Sequence, residues 1–245
     1  MRLTVVIPVR DDAEMLTAAL AALAAQHRSP DEIVVVDNGS TDDSAAIARA
    51  AGARVVEEAR TGIPFAASTG YDAADGDVIA RIDADSVCPP DWLSRIEEAF
   101  HDPALDLLTG GARFYGASEL VHRLGERFYI GGMYWSMTPY LGHPPVFGSN
   151  FAMRTEVWRE LSADVHRTSG IHDDLDLSLH VRPWMTVRHD PGLVVDISAR
   201  PFATLGGFAR RIAWVAPTLR NHWPHDAPWA RRAARRRAQR ERASA

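Results

Sequence analysis

The residues best equipped for chemistry in this chain are carboxylates, grouped in two places. Asp83 and Asp85 stand one residue apart where the apolar run Val78-Ile79-Ala80-Arg81-Ile82 gives way to a loop. Asp173 and Asp174 stand together inside Gly170-Ile171-His172-Asp173-Asp174-Leu175-Asp176-Leu177-Ser178-Leu179. Acidic oxygens at a strand end suit a hard cation such as Mg²⁺ or Mn²⁺, which usually bridges protein to substrate phosphates. Each cluster also has a plainer reading. Asp is common wherever a strand turns into a loop, and acids in a first helical turn cap open N–H groups and complement the dipole.

The elements that must position these acids can be read in order. Residues 3–8 form a buried strand ended by Pro8, and a helix follows from Asp12 with Met15, Leu16, Ala19, Leu20 and Leu23 on one face. Residues 32–37 are a second apolar run closing on a further carboxylate, Asp37, and Asn38 to Asp42 turn into an N-capped helix. A short strand at 54–56, Gly62, a helix near 64–75 and the strand 77–82 come next, then a helix from Pro89 to about Phe100 and a strand at 105–108. Strands alternating with helices imply βαβ units and a mostly parallel sheet. Such sheets bind ligands outside the carboxyl ends of their strands, so Asp37, Asp83 and Asp85 are expected on one rim.

Residues 111–148 are rich in Gly and aromatics, among them Phe114, Tyr115, Phe128, Tyr129, Tyr134, Trp135, Tyr140 and Phe147. They read either as packed surface loops or as an acceptor-binding lobe with aromatic platforms. Gly148 opens a short strand to Met153, residues 155–161 are helical, and the next helix carries Asp173 and Asp174 in its first turn. His172, His180 and His189 are near enough to that pair to be metal or phosphate contacts, or else ordinary structural histidines. From about residue 204 the chain is a basic tail, with Arg210, Arg211, Arg220, Arg231, Arg232, Arg235, Arg236, Arg237, Arg240 and Arg242 interleaved with Ala, Leu, Trp214, Trp223 and Trp229. It reads as a helix on an anionic membrane surface or as a solvated terminal helix.

Bulk properties narrow the field. A chain of 245 residues can bury a full core, and 46% hydrophobic with 24% charged residues is ordinary for a soluble globular protein. The net charge of −5 gives no reason to expect a nucleic-acid partner. Cys88 is the only cysteine, which leaves no disulfide framework and no cysteine-rich zinc site. All 27 basic residues are Arg, so Schiff-base and P-loop lysine chemistry is excluded. No apolar run nears the roughly 20 residues that span a bilayer, and no leader pattern opens the chain. The expected location is the cytoplasm, peripheral on the inner membrane face where the tail makes contact.

With these pieces in place, the chain resembles the family 2 glycosyltransferases over about residues 3–200. The matching stretches are VVIPVRDDAEMLTAALAALAAQ, IVVVDNGSTDDS, ADGDVIARIDADS, GSNFAMR and HDDLDLSLHV, in order and at sensible separations. The resemblance implies an α/β GT-A fold, a mostly parallel central sheet flanked by helices. Residues 1–203 would form the transferase domain, with a nucleotide-binding half (1–110) and an acceptor-binding half (111–203), and 204–245 the Arg-rich helical tail. It implies an inverting, metal-dependent, hexosyltransferase-type enzyme moving a sugar from a nucleoside diphosphate, UDP or GDP foremost, to a hydroxyl on a glycan, lipid or small molecule. It places Pro8, Val9, Arg10, Asp37, Gly62 and Asp83 at the donor, Asp85 with Asp83 at Mg²⁺ or Mn²⁺, and Asp174 as the base with Asp173 behind it.

Three features depart from the family pattern. Ala66-Ala67-Ser68 stands where Arg-Asn is frequent, with Arg60 upstream as a substitute; Asp173 replaces the usual Glu; and no Q-x-x-R-W follows, which argues against a processive polymer synthase. Rival functions are a non-catalytic sugar-nucleotide-binding scaffold of the same fold and a nucleotidyltransferase on a related fold. The latter would want a glycine-rich phosphate loop that the N-terminus lacks.

Overall fold

The computed structural model describes residues 1–116, 125–200, 205–222 and 227–243. Trp223 and the expected boundary at 203–204 lie outside the described residues, as do the side chains of Phe128, Arg210, Arg211 and Arg242. The elements in chain order are β1 (Leu3–Val9), α1 (Ala13–Ala24), β2 (Glu32–Asp37), α2 (Ser44–Ala50), β3 (Arg54–Glu57), α3 (Ile63–Ala73), β4 (Val78–Arg81), β5 (Ser86–Val87), α4 (Trp92–Phe100) and β6 (Leu107–Tyr115). A π-helical turn (Gly125–Ile130) then leads into α5 (Gly131–Leu141), followed by β7 (Phe151–Arg154), α6 (Thr155–Leu161), α7 (Asp173–His180), β8 (Val187–Ser198), α8 (Leu205–His222) and α9 (Pro228–Ala243).

The strands form one sheet in the order β3-β2-β1-β4-β7-β6-β8-β5. Its first half, β3 to β4, is wholly parallel, as the βαβ alternation predicts. The second half is mixed: β7 runs antiparallel to both β4 and β6, β6 and β8 are parallel, and β5 closes the edge antiparallel to β8. Every residue of β1 is buried, because a central strand of a sheet covered on both faces has no solvent side. Alternate side chains divide between two cores. Leu3, Val5, Ile7 and Val9 pack with Leu16, Leu20, Leu23, Trp92 and Ile96 on one face, and Val6 joins Val34, Val36, Tyr71, Trp158 and Leu177 on the other.

Gly70 shows how close the second layer comes. A Cβ there would stand 2.3 Å from Val6 Cγ1 and 2.9 Å from Val36 Cγ2, so only glycine lets α3 seat on the sheet. The surface-loop reading of residues 111–148 is corrected: β6 runs on to Tyr115, and α5 occupies 131–141. The aromatic residues obscured a helix that has Pro139 inside it. The described residues of the basic tail include two helices, α8 and α9, and Arg235 of α9 is buried and donates to the carbonyl of Met185 at 2.7 Å. Among the described residues no helix is long and apolar enough to cross a membrane.

Candidate active site

The site begins at the carboxyl ends of β2, β1 and β4. Because β2 and β4 both neighbour β1, the ends carrying Asp37 and Asp83 are separated by two strand spacings, about 10 Å. Asp37 accepts the Ser40 N–H at 2.9 Å, which fixes the turn after β2. The turn is held from the other side by Asp11, in the left-handed region at φ 50°, whose carboxylate takes the Thr41 N–H at 2.7 Å and the Thr41 hydroxyl at 3.0 Å. Pro8 and Val9 are buried within β1, and Arg10 is the first residue of that segment with an exposed side chain. Gly62, at φ 140°, donates its N–H to Asn38 Oδ1 at 2.8 Å. Arg60 is taken up by the buried Glu58, bonding it through Nε at 2.9 Å and a terminal nitrogen at 2.7 Å, and stacks over Phe65.

Asp83 and the second acid pair meet through a residue that the motif reading passed over. Arg81, the last residue of β4, is fully buried. Its guanidinium forms an ion pair with Asp173, bonds Asp83 Oδ1 at 3.0 Å, and bonds the Tyr71 hydroxyl at 3.0 Å. A cation inside an apolar strand was the signal in the sequence, since Arg is almost never buried without partners. Burial pushes the Asp173 carboxyl up, against the pull of the Arg81 charge, and it likewise raises the Tyr71 hydroxyl.

A rigid loop ties the same acids from below. The Gly148 N–H donates to Asp174 Oδ2 at 2.9 Å, and the Ser149 hydroxyl donates to Asp83 Oδ2 at 2.6 Å. Asn150, wholly buried, anchors that loop by donating to the carbonyls of Gly111 and Leu193 and accepting from Trp92 Nε1. Asp174 Oδ1 also takes the Leu175 N–H at 2.8 Å. The capping reading therefore holds only locally at Asp174, while Asp173 is turned to Arg81. The Gly-Ser-Asn stretch thus acts as a brace joining both acid clusters, a role that its position before a strand did not reveal.

Asp85 is half-buried beside β5, and the Tyr115 hydroxyl donates to its backbone carbonyl at 2.9 Å. Burial first, then the Asp85 charge, raises the Tyr115 hydroxyl. The same charge reinforces Arg200, whose main partner is Asp12 at 2.6 Å. Hard carboxylate oxygens at Asp85, next to an Asp83 already oriented by Arg81 and Ser149, fit Mg²⁺ or Mn²⁺ in donor type. Of the three histidines, His172 stays at the acid pair, its Nδ1 4.0 Å from Asp174 Oδ1, and the other two go elsewhere. His189 packs against Tyr134 with ring centroids 4.2 Å apart, His172 lies against Trp214, and His180 joins a buried cluster around Asp176.

The half-parallel, half-mixed sheet with acids at the ends of its central strands is the GT-A arrangement. The profile of glycosyl transferase family 2 matches residues 4–166, and the chain belongs to that family. Asp173 and Asp174 lie beyond the matched span. An uncharacterized glycosyltransferase of Mycobacterium bovis is 41% identical over 110 residues, 45% of this chain and 48% of the relative. An undecaprenyl-phosphate 4-deoxy-4-formamido-L-arabinose transferase of Serratia proteamaculans is 33% identical over 105 residues, 39% of this chain and 32% of the relative. The matches thus span about half or less of these curated relatives. In fold, the chain is similar to glucosyl-3-phosphoglycerate synthase of Mycobacterium tuberculosis in complex with Mn²⁺, UDP and phosphoglyceric acid. That likeness has a TM-score of 0.63 and 21% identity, covering 89% of this chain and 77% of the other.

Proposed function

We propose that this chain is an inverting, metal-dependent glycosyltransferase that moves a sugar from a nucleoside-diphosphate sugar to an acceptor hydroxyl. The observation that carries the reading is the joining of Asp83 to Asp173 by Arg81, and of Asp83 to Asp174 by residues 148–149. Donor-side and acceptor-side carboxylates are thereby held in one bonded cluster. The mycobacterial synthase of similar fold holds UDP and Mn²⁺, which supports a uridine nucleotide and a divalent cation here.

In this reading Asp37 and the turn 38–42 receive the base and ribose, with Arg10 and Gly62 at the margins. Asp83 orients the donor, and Asp85 with Asp83 would hold Mg²⁺ or Mn²⁺. That ion would supply charge neutralisation for the diphosphate leaving group. Asp174 takes the acceptor proton as the hydroxyl attacks the anomeric carbon from the face opposite the leaving group, because a neutral hydroxyl is a poor nucleophile. Arg81 and Gly148 hold the acids in register for that step. A second assignment, Asp173 as base, draws on one observation: burial raises its proton affinity.

The acceptor is a hydroxyl on a glycan, a small molecule or a lipid carrier. The exposed Trp229, Arg236 and Arg237 of α9 support the last, and the Serratia relative's undecaprenyl-phosphate name adds a lipid-phosphate oxygen as the acceptor atom in that case.

Thermal unfolding against UDP, GDP, dTDP and CDP, each with and without Mn²⁺, tests the donor site. A nucleotide at a hundredfold its Kd stabilises by about 2.7 kcal/mol, or roughly 5–10 °C in a chain this size. A Mn²⁺-dependent shift for one nucleotide, absent in Asp85→Ala, is the expected result. No shift with any of them counts against nucleotide binding, and so against the transferase and the sugar-nucleotide-binding scaffold alike.

A further inference from the structure

Away from the sheet rim, three histidines converge on one buried aspartate. Asp176 and His180 sit one turn apart on α7, His166 lies in the loop before it, and His222 ends α8. The Asp176 side chain is 2% exposed and accepts the His166 backbone N–H at 2.8 Å. One of its oxygens lies 2.7 Å from His166 Nδ1 and 2.9 Å from His222 Nε2. His180 Nδ1 stands 3.4 Å from the carboxylate and 2.8 Å from the Asp176 carbonyl. The three ring centroids are 4.6, 5.2 and 5.3 Å apart.

We propose that His166, Asp176, His180 and His222 form a structural binding site for a divalent transition metal, Zn²⁺ foremost. One nitrogen of each imidazole and one carboxylate oxygen all lie within 4.8 Å of one another. Tetrahedral zinc with bonds of 2.0–2.1 Å places its ligand atoms about 3.3 Å apart, so side-chain shifts of about 1 Å complete the geometry. Three imidazoles and one carboxylate suit zinc and not the all-oxygen preference of Mg²⁺. The i, i+4 pair puts two ligands on one helix face, and His166, 36% exposed, provides the entry path.

The ion would fasten α8 to the helix that presents Asp173 and Asp174. Those helices are already joined where the His172 N–H donates to Thr218 Oγ1 at 3.0 Å and the His172 ring meets Trp214. The competing state is a hydrogen-bonded cluster in which protons occupy the place of the metal. The site is separate from the donor acids, and its test does not read sugar transfer.

The experiment uses the untagged full chain carrying Asp85→Ala, so that the donor-side acids add no metal. Elemental analysis should find about one zinc per chain. The chelator-stripped protein should take up Co²⁺ with the intense visible bands of a tetrahedral site, and Zn²⁺ should raise its Tm. His166→Ala, at the exposed ligand, should keep the fold and weaken zinc binding by about 100-fold or more, beyond what loss of a ligand's supporting partner costs. His222→Gln should also lose the cobalt bands. A folded parent with neither zinc nor cobalt bands overturns the proposal, and so do both variants binding zinc as tightly as the parent.

Discussion

Arg81 and Asp173, 92 residues apart in the chain, form a buried ion pair that joins the end of β4 to the first turn of α7. The pair brings acids from two separate motifs together, and most of the predicted behaviour of the site depends on it.

Replacing Arg81 by Met leaves Asp173 buried without its cation and removes one of the bonds that orient Asp83. Breaking one side of a buried pair costs about 3–5 kcal/mol, which urea denaturation would read directly. Arg81→Lys should recover little, because one ammonium cannot reproduce a planar fork that reaches Asp83, Asp173 and Tyr71 together.

The two candidate bases separate by kinetics. Asp174→Asn should lower kcat by about 10²–10⁴-fold while nucleotide binding stays near that of the parent, with a Tm loss limited to the one backbone N–H that the amide can no longer accept. Asp173→Asn should act mainly on Tm, since it strips Arg81 of a partner. The reverse pattern would transfer the base to Asp173.

Gly148 lies against Asp174 so closely that an added Cβ would stand 3.0 Å from Asp174 Oδ2. Gly148→Ala therefore displaces that carboxylate by a few tenths of an ångström without burying anything new. The expected outcome is a drop in kcat of about tenfold, within the range that small misplacements produce, with KM for the donor unchanged.

Acid stability should depend on Glu58. Its bonds to Arg60, then to Thr69, lower its carboxyl from 4.5 to about 2. A folded-state value below the unfolded one means that the stabilisation is complete above about pH 4.5. It disappears as pH falls toward 2, and amounts to at most about 3 kcal/mol at 1.36 kcal/mol per unit. Glu58→Gln should lower stability at neutral pH and flatten the loss between about pH 4.5 and 2, measured as Tm against pH.

If α9 meets an anionic surface, its exposed arginines should carry the attraction. Arg236→Gln with Arg237→Gln removes about 2 kcal/mol of binding to phosphatidylserine vesicles, roughly 30-fold. Sedimentation with such vesicles is the measurement, and unchanged partition, or none by the parent, removes the lipid-surface reading.

What the sequence determined by itself was the local and the periodic. The β-branched runs read at 3–8, 32–37 and 77–82 had to be buried strands, found at Leu3–Val9, Glu32–Asp37 and Val78–Arg81, and the three-and-four spacing of Met15, Leu16, Ala19, Leu20 and Leu23 had to be a helix face. The parallel pairing of β2, β1 and β4 followed from their alternation with helices, as did the expectation of a shared rim for Asp37, Asp83 and Asp85, whereas the strand order came from the structure. β8 was not read from the sequence; Pro191-Gly192 interrupts its pattern, and the sheet absorbs them at a register shift between Thr109 and Gly111.

The tertiary structure alone decided how distant residues are paired. That Arg81 selects Asp173, that Gly148 and Ser149 brace opposite acids, and that His222 closes on Asp176 are contacts between segments far apart in the chain. Periodicity tells which face of an element is buried. It carries no information on which charged side chains meet there, because that choice depends on where the other elements dock.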